Sequence, residues 1–358
     1  MSSSAFPQAL LTYGWDEGLE KDFSPYREAG LIPARIAAVD RGQCDAITEH
    51  GLLRADTTPV ASPDDPVQGP CTGDWAALRT GEHPAVAALL PRRTAIVRSS
   101  ASQHSHGQVL AANVDTIAIA VSLAARLALG RVERLLALAW ESGARPVIVL
   151  TKADRSEDPA AAEAEVATAA PGVDIVTVSA TTGDGVDIAA AVLTGTVVLV
   201  GPSGAGKSTL GNALLGAELL ATGAVRDQDG KGRHTTVRRE LLPLPYGGVL
   251  IDTPGLRGIG LFDAGEGLQQ TFAEIEELAA ECRFADCAHE TEPGCAVLAA
   301  IEDGVLAQRR LDSYRKLLRE NAWAASRNDA RLRAERENSR KAITKWQRQH
   351  YKANGRDR

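Results

Sequence analysis

TVVLVGPSGAGKSTLGNALLG, residues 196–216, joins a run of apolar and β-branched residues to a helical pattern through a glycine-rich turn. Within it Gly201, Pro202, Ser203, Gly204, Ala205, Gly206, Lys207 and Ser208 match GxxxxGK[ST], and Thr209 continues into the helix. The glycines let successive backbone N–H groups turn inward around a β-phosphate. The Lys207 ammonium can reach β- and γ-oxygens, and the Ser208 hydroxyl can hold Mg2+. In a chain with 33 glycines the pattern alone says little. The strand before it and the helix after it supply the context that a phosphate loop requires.

Upstream, VDTIAIAV (114–121), PVIVL (146–150) and DIVTVS (174–179) alternate with helical patterns over 131–140, 157–169 and around residue 188. Near-continuous Val, Ile and Leu strands between amphipathic helices predict an α/β domain with a parallel sheet covered on both faces, over residues 100–265. Downstream, GGVLIDTPG (247–255) ends a further strand at Asp252, Thr253, Pro254 and Gly255, a DxxG arrangement. In this arrangement Asp252 reaches Mg2+ through a water and the Gly255 N–H senses a γ-phosphate. Between the two motifs lies GKGRHTT (230–236), a polar loop in which a Thr hydroxyl can complete the Mg2+ shell. Thr236 is preferred for that role, although spacing alone does not separate it from Thr235.

Guanine selectivity needs a carboxylate that accepts two N–H donors from the base edge. Thr151, Lys152, Ala153 and Asp154 follow PVIVL and supply Asp154 for this, with the Lys152 stem lying along the base. Ser179 and Ala180 follow DIVTV, where the Ala180 N–H can meet the guanine carbonyl. Either loop alone could be a turn or a helix cap. Their shared place at the carboxyl ends of consecutive strands makes GTP the expected ligand. The common order is inverted, because TKAD and SA precede the phosphate loop; a circular permutation keeps all loops on one rim of the sheet.

Cys282, Cys287, His289 and Cys295 form CxxxxCxHxxxxxC. Three thiolates and an imidazole suit a closed tetrahedral Zn2+ site in a stretch that otherwise lacks a core. No HxE and no PCxxC occurs, which disfavours a zinc deaminase. His104 and His106 read as polar loop residues, and Cys44 and Cys71 as small buried side chains. The residue after Gly255 is Leu256, which cannot hydrogen-bond an attacking water, so another group must position it; His234 is the candidate within the chain.

These motifs together resemble the circularly permuted GTPases of ribosome assembly, the small-subunit-dependent GTPase A or RsgA family. The resemblance spans nearly the whole chain: a barrel, the permuted G domain, GRHTT, DTPG and the cysteine cluster, whose spacing matches the family's zinc motif. It implies GTP hydrolysis late in 30S maturation, binding to 16S rRNA, stimulation by the ribosome, one structural Zn2+, and Mg2+ with GTP. Leu256 places the chain beside the hydrophobic-substituted GTPases. Thr151 stands where NKxD has Asn, which leaves one base-loop hydrogen bond open. A different reading is a GTP-gated RNA-binding or translation-control module in which hydrolysis only resets binding.

Composition sets the remaining expectations. The chain has 358 residues, net charge -7, 44% hydrophobic and 24% charged residues, which excludes wholesale disorder and a cationic coat protein. Residues 305–358 hold 16 basic and 6 acidic side chains, so the tail is a candidate for phosphate backbone while the rest carries -17. Leu306, Leu311, Tyr314, Leu317 and Leu318 predict an amphipathic helix there. Residues 1–30 read as an extension anchored by Phe6, Tyr13 and Trp15. Residues 31–99, with short runs ARIAAV, GQCDAIT, DWAALR, AVAALL and TAIV, predict an OB-like RNA-binding barrel. Residues 266–358 form the expected zinc-binding, mainly helical domain. Five cysteines, no leader pattern and a longest apolar run of 117–125 point to a cytoplasmic protein without a membrane span. A monomer is expected.

Overall fold

The computed structural model of the protein describes residues 7–62, 67–99, 107–221, 239–252 and 264–328. Strands β1 (Ile32–Asp40), β2 (Gln43–Thr48), β3 (Gly51–Asp56), β4 (Trp75–Arg79) and β5 (Ala85–Leu89) close into a barrel in the order β1-β2-β3-β5-β4. Its interior is narrow because the inward positions are mostly small: Ala34, Ala46, Ala55 and Ala76 beside Ile36, Cys44, Leu78 and Val86. TAIV is not a barrel strand. It belongs to β6 (Ala95–Ser99), which pairs with β7 (Gly107–Ala112) in a separate two-stranded sheet. The place it was expected to fill is taken by β3, whose exposed Gly51, Leu52 and Asp56 gave no apolar alternation to read.

The N-terminal helices Gln8–Leu11 and Glu17–Glu28 lie on the barrel. Asp16 caps the second, accepting from the Leu19 N–H at 2.8 Å. Trp15 stands edge-on to Trp75 of β4 at 5.1 Å and to Phe23 at 5.7 Å. Tyr13 packs half-buried against the same cluster, and Phe6 lies outside the described residues. Arg93 pairs with Asp16 at 2.5 Å and holds that carboxyl down at about 2.

The α/β unit is a six-stranded sheet in the order β10-β9-β8-β11-β13-β12. Its strands are β8 (Thr116–Ser122), β9 (Arg145–Thr151), β10 (Asp174–Thr177), β11 (Thr196–Val200), β12 (Glu240–Pro243) and β13 (Val249–Asp252). All neighbours are parallel except β12 and β13. Alternation sorts the strands onto two cores. Ile117, Ile119, Ile148, Leu150, Val198 and Val200 face helix Leu129–Glu141, while Ala118, Val147, Val149, Val197 and Leu199 face helices Val186–Val192 and Lys207–Leu215. The chain runs outward from β8 through β9 to β10 and then crosses back to β11 on the other side of β8. The direction therefore reverses between β8 and β11, the crevice where open α/β sheets bind ligands.

Two buried arginines join this sheet to its neighbours. Arg35 of β1 is 1% exposed and donates to Gly73 O at 3.2 Å, Asn113 O at 3.0 Å, Thr196 Oγ1 at 2.9 Å and Tyr13 O, and its guanidinium covers the Trp75 ring. Burial lowers its pKa to about 10, so it stays charged at neutral pH. A single side chain thus ties the N-terminal segment, the barrel and the strand leading to the phosphate loop. Arg310 does the same for the C-terminal helices Gly265–Thr271, Ala273–Ala280, Ala296–Glu302 and Gln308–Asn328. It meets the fully buried Glu133 of helix Leu129–Glu141 at 2.9 Å and Glu274 at 2.7 Å, and it stacks on Phe272. Arg309 and Ser313 complete the shell of Glu133, so this buried carboxylate is satisfied on every side. Leu311, Tyr314 and Leu317 face that core as the periodicity predicts, whereas Leu318 is 39% exposed. Among the described residues no helix is long and apolar enough to cross a membrane.

Candidate nucleotide site and metal cluster

β11 delivers its chain into residues 201–206, and the helix Lys207–Leu215 begins at once. Gly201, at φ +142°, sits so close to β8 that a Cβ would lie 2.6 Å from Ala120 O. Gly206, the N-cap residue at φ +83°, passes against Thr151. Gly201 therefore demands glycine for conformation and for space, and Gly206 for its conformation. Lys207 Nζ lies across the loop, 2.8 Å from Gly201 O and 2.8 Å from Pro202 O. Ser208 and Thr209 follow in the first turn of the helix, with Ser208 half-buried.

The TKAD loop touches this turn directly. Thr151 Oγ donates to Ala205 O at 2.6 Å and lies 3.3 Å from Val121 O; Lys152 Nζ donates to Gly204 O at 2.6 Å. Lys152 itself adopts the left-handed conformation, φ +58°, which aims its side chain back over the phosphate loop. The hydroxyl that stands in place of the Asn amide thus bonds the phosphate loop. The acceptor it needs lies 54 residues away in the chain, so nothing in the local sequence identified it. Asp154 accepts from Ser179 Oγ at 2.6 Å, while the Thr182 N–H, at 3.3 Å, fixes the hydroxyl from its other side. The Ala153 N–H donates to Val178 O at 3.1 Å, tying TKAD to the SA segment, where Ala180 stays half-buried. The structure brings together Thr151, Lys152, Ala153, Asp154, Ser179, Ala180, residues 201–208 and Asp252 at the carboxyl ends of β9, β10, β11 and β13. His234, Thr235, Thr236, Gly255 and Leu256 lie outside the described residues, as do His104 and His106.

The second constellation is on the C-terminal module. The ligand atoms of Cys282, Cys287, His289 and Cys295 all lie within 4.8 Å of one another. Cys282 Sγ is 3.8 Å from Cys295 Sγ and 3.6 Å from His289 Nδ1, and Cys295 Sγ is 3.4 Å from that nitrogen. Zn–S bonds of about 2.3 Å and Zn–N bonds of about 2.0–2.1 Å give tetrahedron edges of about 3.8 and 3.6 Å, so the donor set fits a four-coordinate ion. The loop is shaped by residues the spacing did not reveal. The Glu292 carboxylate accepts from the N–H groups of Ala288 at 3.1 Å, Glu290 at 2.7 Å and Thr291 at 3.0 Å, and its own backbone N–H together with these bonds lowers its pKa to about 2. Arg315 donates to Ala288 O and His289 O, where His289 takes the left-handed φ of +58°. Cys44 and Cys71 are buried and, as expected, packed as small apolar side chains; burial pushes their thiols up to about 11 and about 12.

The RsgA GTPase family model matches residues 89–262. A small ribosomal subunit biogenesis GTPase RsgA of Streptomyces coelicolor is 60% identical over 339 residues, covering 93% of this chain and 92% of the relative. The protein of the same description from Opitutus terrae is 43% identical over 364 residues, covering 97% and 99%. Among solved structures, YjeQ from Thermotoga maritima superposes with a TM-score of 0.57 at 23% identity, over 81% of this chain and 98% of that one. YloQ, described as a circularly permuted GTPase, gives 0.58 at 22% identity over 81% and 95%. At these identities the two structures speak for the fold.

Proposed function

The chain belongs to the RsgA GTPase family, and from that premise we propose that it hydrolyses GTP and uses the nucleotide cycle to bind and leave a maturing 30S ribosomal subunit. The observation that carries the reading is the direct contact between base loop and phosphate loop, Thr151 to Ala205 and Lys152 to Gly204. It brings the loop that carries Asp154 against the loop that leads into Lys207. In this reading water attacks the γ-phosphorus, the bond to the β-phosphate oxygen breaks, and GDP and phosphate leave. Backbone N–H groups of residues 201–206 and the Lys207 ammonium take up charge on the phosphates. Ser208, Thr236 and Asp252 would hold the Mg2+ that accompanies GTP, and the ion would supply neutralisation of phosphate charge. Asp154 and Ala180 read guanine. His234 positions the water that Leu256 cannot hold.

The partner side of the proposal comprises 16S rRNA, approached through the barrel and the basic C-terminal segment, a cytoplasmic location and a monomeric chain. Turnover measured with and without purified 30S particles tests it. A many-fold rise at saturating GTP is the expected result, and an unchanged rate would favour a module whose binding is merely reset by hydrolysis.

The ion held by Cys282, Cys287, His289 and Cys295 is, in this proposal, one structural Zn2+ per chain. Cys295→Ser is expected to release it and to weaken 30S binding while leaving GTP affinity within about twofold, since the cluster sits away from the sheet rim. Metal analysis of protein purified without added zinc checks this; a full equivalent retained by the variant would reject the ligand set.

A further inference from the structure

The four metal-ligand candidates are held in two different ways. Cys282 follows directly on helix Ala273–Ala280, its N–H donating to Ala279 O at 3.2 Å. Cys295 caps helix Ala296–Glu302, its Sγ accepting from the Leu298 N–H at 3.4 Å. Helix ends therefore fix these two. Cys287 and His289 lie in the loop between, where neither helix nor strand sets the backbone. From within that loop the Glu292 carboxylate gathers the N–H groups of Ala288, Glu290 and Thr291. From outside it, Nη2 of Arg315 donates to Ala288 O at 3.2 Å and to His289 O.

Arg315 reaches the loop from a base that is fixed independently of it. Its helix, Gln308–Asn328, is tied to helix Leu129–Glu141 where Arg309, Arg310 and Ser313 meet Glu133 and where Arg134 pairs with Glu320 at 2.5 Å. The side chain leaves its own Nε buried without a hydrogen-bond partner while Nη2 serves both carbonyls. His289 stands at φ +58°, a conformation unfavourable for a residue with a Cβ, and a charged donor on its carbonyl helps to hold it there. In this conformation His289 Nδ1 lies 3.6 Å from Cys282 Sγ and 3.4 Å from Cys295 Sγ.

We propose that Arg315 is a positioning residue of the metal centre: by holding Ala288 O and His289 O it keeps the imidazole turned toward the sulfurs of Cys282 and Cys295, and so sets how tightly the ion is held. This rests on the Zn2+ reading above. Groups that orient a metal's ligands change its affinity by about 10- to 100-fold when removed.

The test compares Zn2+ affinity, by competition with a chromophoric chelator, in the full-length parent, Arg315→Met, Arg315→Lys and Lys316→Met. Arg315→Met is expected to lose about 10- to 100-fold. Arg315→Lys is expected to stay within about threefold, because one nitrogen serves both carbonyls and an ammonium brings three N–H donors to that place. Lys316→Met removes the same charge from the next, exposed position and should keep the parent's affinity. The visible absorption of the Co2+-loaded proteins, which reports ligand geometry, should change in Arg315→Met alone. GTP affinity within about twofold of the parent in every variant would show the remaining fold intact. Arg315→Met within about threefold of a zinc-binding parent, an equal loss in Arg315→Lys or Lys316→Met, or a parental Co2+ spectrum in Arg315→Met would each overturn the inference. A parent that binds no Zn2+ would instead overturn the metal reading, and this inference with it.

Discussion

Asp154→Asn is expected to weaken GTP binding about 10^3-fold, the loss of two charge-assisted hydrogen bonds together worth about 4 kcal/mol. The guanine edge offers two N–H donors, and a carboxylate meets both as acceptors, whereas an amide turns an N–H donor toward one of them. Ser179 Oγ, 2.6 Å from Asp154 Oδ1, holds the carboxylate in place, and an amide oxygen can still accept that bond. The variant should therefore keep its loop geometry and lose only the match to guanine. Xanthine carries a carbonyl where guanine has its amino group, so the same substitution should improve binding of xanthosine triphosphate. Equilibrium titration with both nucleotides checks the two signs together. Wild-type GTP affinity in the variant would show that TKAD does not read the base.

Lys207→Ala should lower turnover by about 10^3-fold or more, because an ammonium placed on the β- and γ-oxygens stabilises charge that develops in the transition state. Ser208→Ala should act in the same direction through the lost Mg2+ partner. The fold should survive both changes. Lys207 reaches Gly201 O and Pro202 O at a partly exposed loop, and water can replace it at these carbonyls. An unfolding midpoint close to the parent's, measured without nucleotide, beside nearly abolished hydrolysis is the expected pair of results. Hydrolysis near the parent's rate in both variants would place the phosphate site elsewhere.

Asp154 and Lys207 are legible in the sequence because each belongs to a motif whose chemistry is contiguous. A phosphate loop needs a strand end, glycines and a helix start within a dozen residues, and the chain writes these in order. The Cys3His set is equally local. Local pattern was weakest where burial is one-sided or pairing is remote. β3 has exposed residues at most of its positions and carries no strand pattern, while the apolar TAIV run reads as a barrel strand although its partner is Gly107–Ala112.

The sequence by itself determined the α/β class, the permuted order of the nucleotide loops and the four metal-ligand candidates, since each depends on residue type at short spacing. Tertiary structure alone decided what holds these parts in register. Thr151 finds Ala205, Asn321 finds Ala264, and Arg310 of helix Gln308–Asn328 finds Glu133 beneath the sheet. The common reason is that a buried donor or charge must take whatever acceptor the packed fold brings within about 3 Å, and that partner can come from any point along the chain.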